Sequence, residues 1–113
     1  MYKIEAIVKH QRLDAIQEAL FEIDVAGITT TEVRGTGRRG SNGPTFRGTQ
    51  YSNDLTLRLK VEVIVTDEAY EEALEAFTAA AQTGEVGDGK IFVTKLHDVV
   101  RIRTGERGVD ALE

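Results

Sequence analysis

The chain has no cysteine and no tryptophan, one proline and two histidines among 113 residues. The lack of thiols excludes disulfides and thiolate metal sites, and suits a reducing compartment. No apolar run approaches the roughly 18 residues that a membrane-spanning helix needs. The opening stretch, MYKIEAIVKH, reads as a strand carrying charges rather than a targeting segment. His10 and His97 are far apart, fit no metal-ligand spacing, and read as solvent-facing histidines at strand ends. Positive charge is in deficit: 14 Lys and Arg face 19 Asp and Glu, a formal net charge of −5. A nucleic-acid backbone binder needs the opposite surplus, so any anion site must be local. The expectation is one cytoplasmic domain, 1–113, with one core, no nucleic-acid partner and no membrane insertion.

What is present alternates between two periods. Tyr2 to Lys9 places Ile4, Ala6 and Val8 on one face of a strand. Leu13, Ile16, Leu20 and Ile23 then fall at helical spacing, and Gly27 breaks the pattern. Ile28 to Arg34 is β-branched and predicts a second strand. From Gly35 to Asp54 the chain is polar and glycine-rich, a long arm with nothing to build a core. Leu55 to Val65 alternates strictly and predicts the clearest strand, with Arg58, Glu62 and Ile64 on the face opposite the core. Thr66 is a candidate cap for a helix carrying Tyr70, Ala73, Leu74, Phe77 and Ala81, stopped at Thr83-Gly84. Lys90 to Val93 predicts a short buried strand and Val99 to Arg103 another, followed by a polar tail that wraps or frays. The order strand, helix, strand, strand, helix, strand predicts an α+β, ferredoxin-like βαββαβ sandwich: an antiparallel sheet with two helices on one face. Its other face, bearing Ile7, calls for burial in a homo-oligomer.

Three glycine clusters bear on function. Gly35-Thr36-Gly37-Arg38-Arg39-Gly40 matches a dinucleotide fingerprint, but Ser41, Asn42, Gly43 and Pro44 follow where a helix must start, so a Rossmann site is rejected. Gly84 to Lys90 matches most of a P-loop, yet Ile91 replaces the Mg²⁺-binding hydroxyl, and the loop runs from helix to strand. It reads either as a glycine-rich phosphate grip with Lys90 as its cation or as an ordinary connection. Arg101 and Arg103, two apart in a predicted strand, project together while Ile102 points to the core. With Lys90 and Arg38 they make a triphosphate-sized cationic set; the alternative is ion pairing to Glu62, Asp88 or Glu106.

TGEVGDGKIFV and VVRIRTGE, with KIEAIV at the start and TEVRGTGR before the arm, resemble the PII signal-transduction proteins over nearly the whole chain without gaps. The resemblance implies a homotrimer that binds ATP or ADP in clefts between subunits, senses 2-oxoglutarate, and docks on a membrane transporter or enzyme through a long T-loop, in nitrogen regulation. Here the T-loop is about 37–55, the B-loop about 82–90 and the C-terminal loop about 102–113. The resemblance places Gly87, Asp88, Gly89 and Lys90, with Arg38, on the phosphates, and Arg101 and Arg103 within reach of them. It puts Thr29, Glu62 and Ile64 around the adenine and Gly35 and Gly37 near the ribose. Tyr51 falls where many bacterial members are uridylylated; it equally reads as an aromatic anchor for a partner.

The chain departs from the family's pattern at the arm. Arg39 stands where the family commonly has the glutamine that helps coordinate the Mg²⁺ bridging ATP and 2-oxoglutarate, and an arginine has no lone pair to offer a cation. Arg58 replaces a usual lysine, and Gly40 another. Arg39 and Arg58 are the candidate effector contacts, and the departures speak against Mg²⁺ and 2-oxoglutarate as in the relatives. The leading expectation is therefore a regulator rather than an enzyme. A PII-like sensor of another small anion, or one regulating a non-nitrogen pathway, is the alternative. A slow nucleotide hydrolase ranks lower, since Glu62, Asp88 and Glu106 form no recognisable acid–base pair.

Overall fold

A computed structural model describes residues 1–25, 27–35, 45–46, 49–50 and 56–112. Among the described residues, six strands and two α-helices follow in the order β1 (Tyr2–Val8), α1 (Leu13–Phe21), β2 (Ile28–Gly35), β3 (Thr45–Phe46), β4 (Thr49–Gln50), β5 (Thr56–Val65), α2 (Tyr70–Ala81) and β6 (Ile91–Lys95). Four of them make one antiparallel sheet in the order β2-β5-β1-β6. That order, with both helices packing on one face, is the expected ferredoxin-like sandwich.

The alternation of β1 and β5 builds the core. Ile4, Ala6, Val8, Leu59, Val61, Val63 and Val65 lie on the helix-covered face and are buried. Ile16 and Leu20 of α1 and Ala73, Phe77 and Ala81 of α2 close over them. Each large aliphatic taken out of water contributes about 1.5–3 kcal/mol, so this layer carries most of the hydrophobic stabilisation. Tyr2 and Tyr70 stack with ring centroids 4.3 Å apart, joining the first strand to the start of α2. The opposite face is open and mixes charged residues with the apolar Ile7 and Phe92. Glu5 sits across from Glu62, and Lys60 and Lys3 relieve that like-charge pair at 3.3 and 3.8 Å.

Several local expectations are corrected. A 3-10 turn, His10–Arg12, precedes α1, so His10 lies at a helix start, with a buried Nε2 that lacks a hydrogen-bond partner among the described residues. His97 is exposed. It is Asp24, not Gly27, that stops α1: its φ is 64°, and the Val25 N–H reaches back to the Leu20 carbonyl at 2.9 Å, the bond of a Schellman stop. The apolar contact such a stop favours is met by Leu20 and Val25, both in the core. Thr66 Oγ1 accepts from the Ala69 N–H at 3.2 Å, capping the turn that leads into α2. That helix ends at Ala81, with Gln82 already extended, before Thr83-Gly84.

The end of the chain differs most. The last sheet strand is an exposed edge rather than a buried one, with Phe92 and Val93 open to solvent. No strand spans Val99 to Arg103. Val100 bridges Arg107, the Arg101 N–H donates to the Glu106 carbonyl at 2.9 Å, and Ile102, expected in the core, is 99% exposed. A short loop cannot bring Ile102 to a core already covered by two helices. The tail folds back as a 3-10 turn, Gly108–Leu112. Within the arm, β3 pairs with β4, so the arm is not wholly without secondary structure.

Candidate phosphate-binding loop and the open sheet face

The loop from Gln82 to Lys90 is built by glycine. Gly84, Gly87 and Gly89 take φ values of 85°, 100° and 86°, a region that disfavours any residue with a Cβ. At Gly89 the reason is also steric: a Cβ there stands 2.1 Å from the carbonyl oxygen of Ile7, so the loop lies against the backbone of β1. At Gly87 a Cβ meets Arg58 Nη2 at 3.3 Å and Lys9 Cε at 3.4 Å. Two cationic side chains therefore converge on the middle of the loop.

Asp88 organises the loop from within. Its Oδ2 accepts the N–H groups of Thr83 at 2.8 Å and Gly84 at 2.9 Å, and its Oδ1 accepts the Thr83 hydroxyl. Lys9 Nζ lies 3.3 Å from Asp88 Oδ1, 3.3 Å from Thr83 Oγ1 and 3.6 Å from Glu85. The Thr83 hydroxyl, then its backbone N–H, with the Gly84 N–H and Lys9 adding to them, holds the Asp88 carboxyl far below its ordinary range. It is ionised at neutral pH.

The described sites expected from sequence fall into three groups. Arg58, Glu62 and Ile64 alternate along β5 on the open face, and Thr29 of β2 is the register partner of Glu62. Four residues of strand from Arg58 to Glu62 cover about 13 Å. Gly35 ends β2, opposite Thr56. Gly87, Asp88, Gly89 and Lys90 form the loop beyond the Arg58 end of that face; Lys90 is exposed, with no ion pair among the described residues. Arg101 and Arg103 lie in the C-terminal loop. Arg101 pairs with Glu106 at 2.8 Å, the ion-pair alternative raised above, and reaches the Asp110 carbonyl at 3.4 Å. Arg103 is exposed in the turn. Arg107 pairs with Asp98, whose carboxyl that guanidinium holds below its ordinary value. Gly37, Arg38, Arg39 and Tyr51 lie outside the described residues.

Lys9, Thr83 and the Ile7 carbonyl were not singled out from the sequence. A lysine ending a strand and a threonine five residues before an aspartate are common, and only the folded loop brings them together. A cavity of about 440 Å³ lies on the other side of the sheet, between α2 and β6, lined by apolar residues such as Val8, Leu74 and Ile91 with Lys90 among its polar groups.

Fold and loop together define an α+β domain with a glycine-built, cation-flanked clasp at one end of an open sheet face. The family model for nitrogen regulatory protein P-II matches residues 1–106, and the chain belongs to that family of regulators. The P-II protein of Azospirillum brasilense is 50% identical over 112 residues, covering 99% of this chain and all of that one. Those of Rhizobium meliloti and Haemophilus influenzae are 50% and 46% identical over the same span, with the same coverage. Among solved structures, the Arabidopsis thaliana PII protein bound to citrate superposes with a TM-score of 0.81 at 36% identity, covering 99% of this chain and 89% of that one. No helix among the described residues is long and apolar enough to cross a membrane.

Proposed function

We propose that this chain is a cytoplasmic PII-type regulator, a homotrimer that binds ATP or ADP in clefts between subunits and signals through the arm at about 37–55 to a transporter or enzyme in nitrogen regulation. The observation that carries this reading is the clasp itself. Left-handed Gly87 and Gly89 present backbone at the end of a sheet face that bears Arg58, Glu62, Ile64 and Thr29, while the Gly84 N–H is held by Asp88. The roughly 13 Å between Arg58 and Glu62 suits a ligand with an anionic end at the loop and a flat polar end further along the strand. Gly87, Gly89 and Lys90, with Arg38, hold the phosphates, and Arg101 and Arg103 reach them from a neighbouring copy. Glu62, Ile64 and Thr29 frame the base, and Gly35 and Gly37 approach the ribose. Titration calorimetry of the full chain with ATP and ADP tests the reading: micromolar binding that Lys90→Ala weakens at least tenfold supports it, and no binding ends it. A turnover assay with the same variant separates a regulator from a hydrolase.

A second reading concerns the effector. Arg39 and Arg58 favour direct contact with an anion over coordination of Mg²⁺, and a relative of similar fold has been seen bound to citrate. The chain then reads a small carboxylate other than 2-oxoglutarate, or serves another pathway. Calorimetry with 2-oxoglutarate and with citrate, each with ATP and with or without Mg²⁺, decides it. A strong Mg²⁺-dependent gain for 2-oxoglutarate restores the first reading in full. Tyr51 modification is read from the intact mass of protein purified from its native host, against Tyr51→Phe.

A further inference from the structure

The loop that offers its backbone to an anion is itself held by a carboxylate and a lysine. We propose that Lys9 and Asp88 are a positioning pair: Lys9, anchored at the end of β1, holds Asp88, and Asp88 holds the Thr83 and Gly84 backbone, so that the loop keeps its anion-accepting shape without either side chain touching the ligand. The proposal rests on the nucleotide reading above and reassigns Asp88 from contact to support.

Both Asp88 oxygens are already engaged. One takes two backbone N–H groups at 2.8 and 2.9 Å, and the other takes the Thr83 hydroxyl and the Lys9 ammonium, the latter at 3.3 Å. A carboxylate so occupied has little left to offer a ligand, and its charge beside a phosphate is repulsive. The other bonds within this segment are longer: the Glu85 N–H to Thr83 Oγ1 at 3.3 Å and the Asp88 N–H to the Glu85 carbonyl at 3.4 Å. Around the position of a Cβ on Gly84 there is nothing within 4 Å, and Val86 is 97% exposed. The Asp88 bonds close the segment from Thr83 to Asp88 into a ring, and Lys9 ties that ring to the sheet. Lys9 and Asp88 side chains are 19% and 21% exposed, within reach of solvent but mostly covered. Lys9 also donates to Thr83 Oγ1 at 3.3 Å, so the ammonium bridges both ends of the ring.

The test uses the full chain with Lys9→Met, Lys9→Arg, Asp88→Asn and the double variant Lys9→Met/Asp88→Asn. ATP binding is read by calorimetry, and solvent exchange of the Thr83 and Gly84 amides by NMR without nucleotide. Asp88→Asn is expected to weaken ATP about tenfold even though it removes a like charge, and Lys9→Met to weaken it similarly. The double variant should lose no more than about twofold beyond Asp88→Asn, and Lys9→Arg should stay within about threefold of wild type. Both single variants to Met or Asn should speed exchange at Thr83 and Gly84. Tighter ATP binding by Asp88→Asn, or additive losses with unchanged amide exchange, overturns the proposal, the latter marking Lys9 as a direct phosphate contact. If Lys9→Met does not fold, Thr83→Ala takes its place, with faster Gly84 exchange and the same loss of affinity expected. If the wild type binds no ATP, the nucleotide reading fails by itself. The exchange rates then judge the pair, and unchanged protection overturns it.

Discussion

Gly89 and Gly84 share almost the same backbone angle and differ in what surrounds them. A Cβ on Gly84 enters open space, whereas one on Gly89 meets the Ile7 carbonyl oxygen at 2.1 Å. Gly84→Ala should therefore cost only the left-handed penalty, about 1–2 kcal/mol, and Gly89→Ala that penalty plus displacement of the loop from β1. Urea unfolding at one fixed protein concentration should rank Gly89→Ala below Gly84→Ala, and equal midpoints would contradict the packing described. Asp88 supplies a second residue-scale expectation. Its carboxyl is depressed below the ordinary 3.8, so its stabilising bonds are complete above that pH and are lost only as pH falls through the lower folded value. A carbon-13 titration of the Asp88 carboxyl should show a midpoint below 3.8, and Thr83→Ala should move it upward.

At the scale of elements, the helix α2 and the strand β6 show how similar apolar content meets different fates. Phe77 and Ala73 fall on the stripe of α2 that faces the sheet and are fully buried. Phe77→Ala should cost about 3–5 kcal/mol, read as a lower urea midpoint. Phe92 points to the open face of an edge strand and is 52% exposed, so Phe92→Ala should leave the stability of the single chain within about 0.5 kcal/mol. A loss as large for Phe92 as for Phe77 would mean that assembly, rather than the chain's own core, sets the measured stability.

For the whole molecule, the exposed apolar residues call for a second surface. Ile7, Phe92, Val100 and Ile102 are 41%, 52%, 53% and 99% exposed, on the open sheet face and in the loop after it. Burying them between copies supports the homotrimer proposed above. Sedimentation equilibrium should give the mass of three 12.4 kDa chains, and Ile102→Glu should shift the population toward smaller species at micromolar concentration. A monomeric wild type would remove the subunit clefts from the proposed site.

Sequence by itself determined the core elements β1, α1, β2, β5 and α2, though not the short β3–β4 pair or the residue that stops α1. The alternation of Leu55 to Val65 and the helical stripe of Tyr70 to Ala81 leave only one way to bury their apolar faces. It also located the glycine loop, because three glycines with one lysine mark backbone that must turn sharply and stay bare. Tertiary structure alone decided which glycine is held against a carbonyl, that Asp88 is engaged by Lys9 and Thr83 across 79 and five positions of chain, and that Arg101 turns to Glu106. It also moved Ile102 from the expected core to the surface. The physical reason is that periodicity reports which face of an element is apolar, while partners distant in sequence, and whether a face is covered by the same chain or by another copy, depend on where the folded elements come to lie.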